Sequence, residues 1–124
     1  MLGGCRAGSK IDAGRSYPIQ KAQTKTLDVQ VIRNETEITM VNTTANALPE
    51  GTMWINGQFS HGFEGLAPGA RTTMSLKSFH NEYGEAFRAG GFFATQRPSS
   101  LVMAQIETTE SMIGLVVVNG EAER

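Results

Sequence analysis

The stretch GTMWINGQFSHGF at residues 51–63 decides the fold class. Its centre, Asn56-Gly57, lies between Met53-Trp54-Ile55 and Gln58-Phe59, and this pair suits the positive φ angles of a two-residue type I′ hairpin turn. Such a turn pairs Ile55 with Gln58 and Trp54 with Phe59. Side chains alternate across a strand, so Trp54, Phe59, His61 and Phe63 are expected on one face, and Met53 and Ile55 on the other. Both faces are apolar. The hairpin is therefore either buried on both sides or offers one apolar face to another body.

On the N-terminal side, Leu27, Val29 and Val31 alternate with Asp28 and Gln30, and Asn34-Glu35 turns this half-buried strand toward Ile38, Met40 and Val41. On the C-terminal side, Leu66-Ala67-Pro68-Gly69 leads into Thr72, Met74 and Leu76, which alternate with polar residues. From Ser78 the pattern changes: Phe79, Tyr83 and Phe87 recur every four residues, Ser78 can cap and Gly90-Gly91 can terminate. A short crossover helix is predicted here, weakened by Gly84. Val102, Ala104 and Ile106 then alternate, Thr109-Glu110-Ser111 turns, and Met112 to Val118 is apolar throughout, as suits a central strand. Seven or eight strands in this spacing predict an all-β domain. The expected form is a two-sheet immunoglobulin or fibronectin III type sandwich, with a small barrel as the alternative. The match is one of architecture only, because a cysteine pair and a tyrosine corner are both missing.

The chain has 124 residues, 40% of them hydrophobic, with 11 basic and 12 acidic side chains for a net charge of -1. That suits one domain with its own core. No window reaches the roughly 18 apolar residues of a membrane-spanning helix, and the charge balance lacks the basic excess of a nucleic-acid binder. The one cysteine leaves no internal disulfide. Charge is uneven, however. Residues 1–26 carry Arg6, Lys10, Arg15, Lys21 and Lys25 against Asp12, a net +4, which leaves -5 for the remainder. This first stretch lacks sustained periodicity and contains Gly8, Gly14 and Pro18, so it is expected to be a flexible tether. The organisation expected is a tether at 1–26, a β-sandwich at 27–119 and a C-terminal tail at 120–124.

Leu2-Gly3-Gly4-Cys5 resembles the lipobox of bacterial lipoproteins, in which small residues precede a cysteine whose thiol receives diacylglycerol. The motif ordinarily follows a charged segment and an apolar segment, so the resemblance implies a start codon upstream of Met1; otherwise the tetrapeptide is accidental. A flexible tether of about 20 residues spans roughly 25 Å on average and about 65 Å at full stretch. Basic residues beside an anionic lipid surface add about 1 kcal/mol each before screening. The body resembles small uncharacterised bacterial lipoproteins in Ile38-Thr39-Met40-Val41-Asn42-Thr43-Thr44, in Trp54-Ile55-Asn56, in the run from Phe87 to Phe93, and in Ile113-Gly114-Leu115-Val116-Val117-Val118. That resemblance implies an envelope location facing the periplasm or exterior, a membrane contact through a lipid on Cys5 and an unknown envelope protein as partner. It assigns no catalytic residue and no cofactor.

Candidate chemistry is sparse. His80, Glu82 and Glu85 on the predicted helix are poorly aligned, since His80 and Glu82 stand about 200° apart around its axis. A metal site would need His61 or another third ligand, and the His-Glu-x-x-His spacing of zinc enzymes is absent. There is no Gly-x-Ser-x-Gly elbow, and Gly90-Gly91 lacks the lysine of a phosphate loop. Asn34-Glu35-Thr36 and Asn42-Thr43-Thr44 match a glycosylation sequon that recurs by chance. The candidate binding surface is Arg88, Phe92, Phe93 and Arg97, because aromatic residues flanked by arginine are a frequent anchor composition; alternatively the helix from Phe79 to Phe87 covers it. Three functions follow as expectations. The first is a non-catalytic lipid-anchored envelope domain. The second is a soluble carbohydrate or small-ligand module using Trp54, Phe59 or His61, and the third a metal-dependent enzyme.

Overall fold

The computed structural model describes residues 15–91 and 97–118. Seven strands follow in chain order: β1 (Gln23–Asn34), β2 (Glu37–Val41), β3 (Gly51–Ile55), β4 (Phe59–Phe63), β5 (Arg71–Ser75), β6 (Ala104–Glu107) and β7 (Met112–Val118). They form one hydrogen-bonded sheet in the order β4-β3-β6-β7-β1-β2-β5. All pairings are antiparallel except β1 with β7, which is parallel. Among the described residues, no helix is long and apolar enough to cross a membrane.

The all-β class expected from the sequence holds, but the strands do not divide into two stacked sheets. They form a single sheet curled into a half-barrel. The parallel β1–β7 pair is the reason, since it joins β4-β3-β6-β7 to β1-β2-β5, which in a sandwich would separate. Register shifts between Gln23 and Lys25 and between Thr26 and Gln30 break the twelve-residue β1, and such irregularities let a sheet bend. The curl does not close, so β4 and β5 remain edges.

One face of the sheet carries the main core. Val29, Val31, Ile38, Met40, Met53 and Ile106 are all fully buried there. Leu48, Leu76, Phe79, Phe87 and Leu101 come from the connections and close over them. Burying side chains of this size contributes about 1.5–3 kcal/mol each. The β1–β2 hairpin forms as expected, but its turn lies at Glu35-Thr36, one residue beyond Asn34-Glu35: Asn34 pairs with Glu37, and Glu35 has a φ of 60°. Strand β7 lies at the middle of the sheet, also as expected.

Two local readings are corrected. Asn56 and Gly57 do adopt positive φ, at 54° and 66°. The register, however, is Ile55 with Phe59 and Trp54 with Ser60, so Gln58 belongs to the loop. A slip of one residue exchanges faces. Phe59, His61 and Phe63 thus lie on the side of Met53 and Ile55, and of the four residues expected to share a face Trp54 is the one that faces the other way. The crossover helix is absent as well. Leu76–Ser78 forms a single 3-10 turn, after which the chain folds into a narrow hairpin over 79–87. His80 bridges both Ser60 of β4 and Ala86, while the Phe87 amide donates to the Phe79 carbonyl. At the tip the Asn81 side-chain oxygen accepts from the amides of Tyr83 and Glu85. Asparagine offers the backbone this local alternative to a helix. The result buries Phe79 and Phe87 and leaves Tyr83 78% exposed.

Asn56 holds the start of the last hairpin in place. Its side-chain oxygen accepts from the amides of Val102 and Met103 at 2.8 and 3.2 Å, and its side-chain nitrogen donates to the Ser100 carbonyl at 2.7 Å. Asn56→Ala removes these bonds and places alanine in the left-handed region. It is expected to lower the unfolding free energy by about 2 kcal/mol in guanidinium titrations followed by Trp54 fluorescence. Asn56→Gly, which is free of the backbone strain, should lose less.

Candidate functional site

Alternation along β3 and β6 sends Trp54, Gln105 and Glu107 to the face opposite the main core, yet all three are buried. Residues 15–22 cover them. The Glu107 carboxylate, 8% exposed, accepts from Arg15 Nη1 at 2.9 Å and Nη2 at 3.3 Å, from Lys21 Nζ at 2.8 Å and from Trp54 Nε1 at 2.9 Å. Tyr17 stands edge-on to Trp54, with ring centroids 5.3 Å apart, and donates its hydroxyl to Gln105 Oε1 at 2.7 Å. The Arg15 guanidinium lies 5.7 Å from the Trp54 ring centroid. Ser16 donates to Glu82, linking this strap to the 79–87 hairpin. The tether expected over residues 1–26 therefore does not reach 26: the chain is fastened from Arg15 and enters β1 at Gln23. Desolvation pushes the Glu107 carboxyl upward, but the hydrogen bonds from Arg15, Lys21 and Trp54 outweigh it and bring its pKa down from 4.5 to about 2.

Of the predicted binding surface, the described residues are Arg88 and Arg97, in the connection between 88 and 99. The Ser99 amide donates to the Arg88 carbonyl, closing the loop at its base. Arg33 reinforces the closure from β1, donating to the carbonyls of Ala89 at 3.1 Å and Ser99 at 2.6 Å, with its guanidinium 5.7 Å from the Phe87 ring centroid. Arg88 and Arg97 are exposed; Phe92 and Phe93 lie outside the described residues. No helix forms over 79–87, and that segment places Phe79 and Phe87 in the core. Arg88 also borders a cleft of about 560 Å³ with Asn56, Gln58, Phe59, Asn81 and Glu85. A second hollow of about 290 Å³ shares Gln58 and Asn81 and reaches Arg15 and Tyr17 in the strap. Amides and charged groups of both signs line them beside the rings of Phe59, Tyr17 and Tyr83, a mixture suited to hydrogen-bonded recognition.

Other expected site residues disperse. His61 is exposed at β4, its Nδ1 lying 2.8 Å from the Gly62 carbonyl. His80 belongs to the 79–87 hairpin. Among the described residues, no three histidine, cysteine or acidic side chains gather as metal ligands would. Trp54 has no accessible surface on which a sugar could stack. Cys5 lies outside the described residues. The sequence reading missed the Glu107 cluster, although one signal was present: a buried indole N–H needs an acceptor, and Glu107 stands in a strand otherwise buried along its length. Comparison with family models, with curated proteins and with solved structures finds no match.

The depressed Glu107 pKa has a stability consequence. Its folded value lies below its unfolded one, so its contribution is fully present above about pH 4.5 and is lost as pH falls toward about 2. About 2–3 kcal/mol is at stake once the half-exposed Arg15 partner is allowed for. Glu107→Gln should lower stability by about that amount at neutral pH and flatten the decline between pH 4.5 and 2, relative to wild type, in acid-titrated denaturation curves.

Proposed function

We propose that the chain is a non-catalytic, lipid-anchored domain of the bacterial cell envelope, attached through Cys5 and serving a protein-binding or structural role. The observation that supports this reading best is the strap. The segment that follows the Leu2-Gly3-Gly4-Cys5 motif is bolted through Arg15 and Lys21 to a carboxylate on an inner strand of the sheet. A pull on Cys5 then loads charge-assisted hydrogen bonds and the buried Trp54 rather than a fraying strand end.

The strap also shortens the leash. Nine residues, 6–14, separate Cys5 from Arg15, so those two α-carbons stand no more than about 36 Å apart. The fold also takes a share of the basic charge. Arg15 and Lys21 are committed to Glu107, which leaves Arg6, Lys10 and Lys25, against Asp12, for an anionic lipid surface. Electrostatic help for the acyl chains is correspondingly smaller than five basic residues suggest.

The cleft beside Arg88 favours a second reading, a small-ligand module. With Trp54 covered, its aromatic surface is the half-buried Phe59, flanked by the amides of Gln58 and Asn81. The two readings separate on Cys5. In cells expressing the full gene, radiolabelled palmitate is expected on the wild-type protein and not on Cys5→Ser. A wild-type protein without label, or equal label on both, removes the anchor.

A further inference from the structure

The two edges of the sheet are treated differently. On β4, Ser60 exchanges backbone hydrogen bonds with His80, so the 79–87 hairpin caps that edge. On β5, no described segment pairs with the outer side. The Leu76 amide donates to Thr36 and the Asn42 amide to Ala70, which sets the alternation: residues 70, 72, 74 and 76 bond to β2 or its extensions. Arg71, Thr73 and Ser75 therefore turn their amides and carbonyls outward, the Ser75 carbonyl also accepting from the Ser78 hydroxyl at 2.7 Å. Edges in this condition are usually blunted by proline, a bulge or a covering segment. The sequence Arg71-Thr72-Thr73-Met74-Ser75 contains no proline, and its register with β2 is unbroken.

We propose that β5 pairs antiparallel with β5 of a second copy of this chain, about a two-fold axis at Thr73, making one sheet continuous across the dimer. Thr73 then exchanges backbone bonds with the partner's Thr73, and Arg71 with the partner's Ser75. Charge selects this occupant. Within the chain Ser75 lies opposite Glu37 and Arg71 opposite Val41, so Arg71 has no carboxylate directly across from it. Neither Arg71 nor Glu37 belongs to an ion pair among the described residues, and both are exposed. In the paired sheet Arg71 lies beside the partner's Ser75, with the partner's Glu37 next on the same face, two strand spacings or about 10 Å away. The arginine and glutamate side chains span that gap together, and the symmetry forms the pair twice. On the other face Met74, half-buried in one chain, packs beside the partner's Thr72.

This interface commits the protein-binding role to a second copy and does not depend on the lipid at Cys5, so the full chain carrying Cys5→Ser serves for its test. Five-residue edges bury little surface, and a dissociation constant on the order of 100 μM is expected by sedimentation equilibrium. Hydrogen exchange should show the amides of Arg71, Thr73 and Ser75 gaining protection as concentration rises, while those of Thr72 and Met74 are protected throughout. Arg71→Glu should weaken association about tenfold, and the exchange of charges in Arg71→Glu with Glu37→Arg should restore it. Thr73→Pro, which removes an amide that β2 does not use, should leave a folded monomer. A chain monomeric up to about 1 mM, an association that Thr73→Pro and Arg71→Glu both leave intact, or Thr73 protection independent of concentration would overturn the proposal.

Discussion

The carboxylate of Glu107 is the constraint on which the outer half of this structure depends. Taking an ionised carboxylate out of water costs several kcal/mol unless charge and hydrogen bonds replace its hydration. Here the replacement comes from three residues in two regions far apart in the chain: Arg15 and Lys21 in the strap, and Trp54 in β3. Each donor has a reason of its own to be there. The indole N–H needs an acceptor once its ring is buried, and the ring is buried because Tyr17 and Arg15 lie over it. Removing the carboxylate would leave the indole unsatisfied; removing the strap would expose the indole and strip the carboxylate of its cations.

This coupling explains how one sheet carries apolar residues on both faces without a second sheet to cover it. The main core is closed by its own connections, from Leu48, Leu76, Phe79, Phe87 and Leu101. The opposite face is covered over β3 and β6 by a strap only a few residues long. A sandwich buries a whole second face at the cost of another layer of strands. This chain instead buries the part of that face around Trp54, and leaves the region of β2 and β5 polar, with Thr39 and Thr73 hydroxyls in contact at 3.1 Å.

What could be read from the sequence follows from how local each signal is. The β1–β2 hairpin, the turn at Asn56-Gly57 and the central position of Met112 to Val118 were legible because alternation and turn chemistry act over a few residues. The register of the 51–63 hairpin was not: placing Gln58 in the loop or in the strand changes no local propensity, and the choice falls to which face Phe59 can bury. The helix over 78–90 failed for a related reason. The four-residue spacing of Phe79, Tyr83 and Phe87 imitates a helical stripe, but Asn81 holds the backbone in a turn through its own side chain and Tyr83 remains exposed. The strap looked like a tether because its side-chain hydrogen-bond partners lie 37 to 92 residues away. Basic residues among glycines carry no mark of the buried acid that they will meet. Nothing in the sequence marked that Arg33 in β1 would reach the carbonyls of Ala89 and Ser99.

The strap and the free edge occupy different parts of one sheet. Glu107 belongs to β6, and β5 lies four strands further along, about 19 Å around the curl at ordinary strand spacing. In a chain held through Cys5, tension passing through Arg15 and Lys21 enters near β3 and β6, and an added strand at β5 neither covers the strap nor competes for its partners. The strap and the β5 edge still communicate mechanically, because both belong to one hydrogen-bonded sheet that runs from β6 through β7, β1 and β2 to β5. In a chain held to a surface by Cys5, the same short leash that limits reach also confines neighbouring copies to a thin layer, and confinement raises the effective concentration at which a weak edge-to-edge contact becomes populated. An interface too small to hold a dimer in dilute solution is then large enough to organise copies that share a surface.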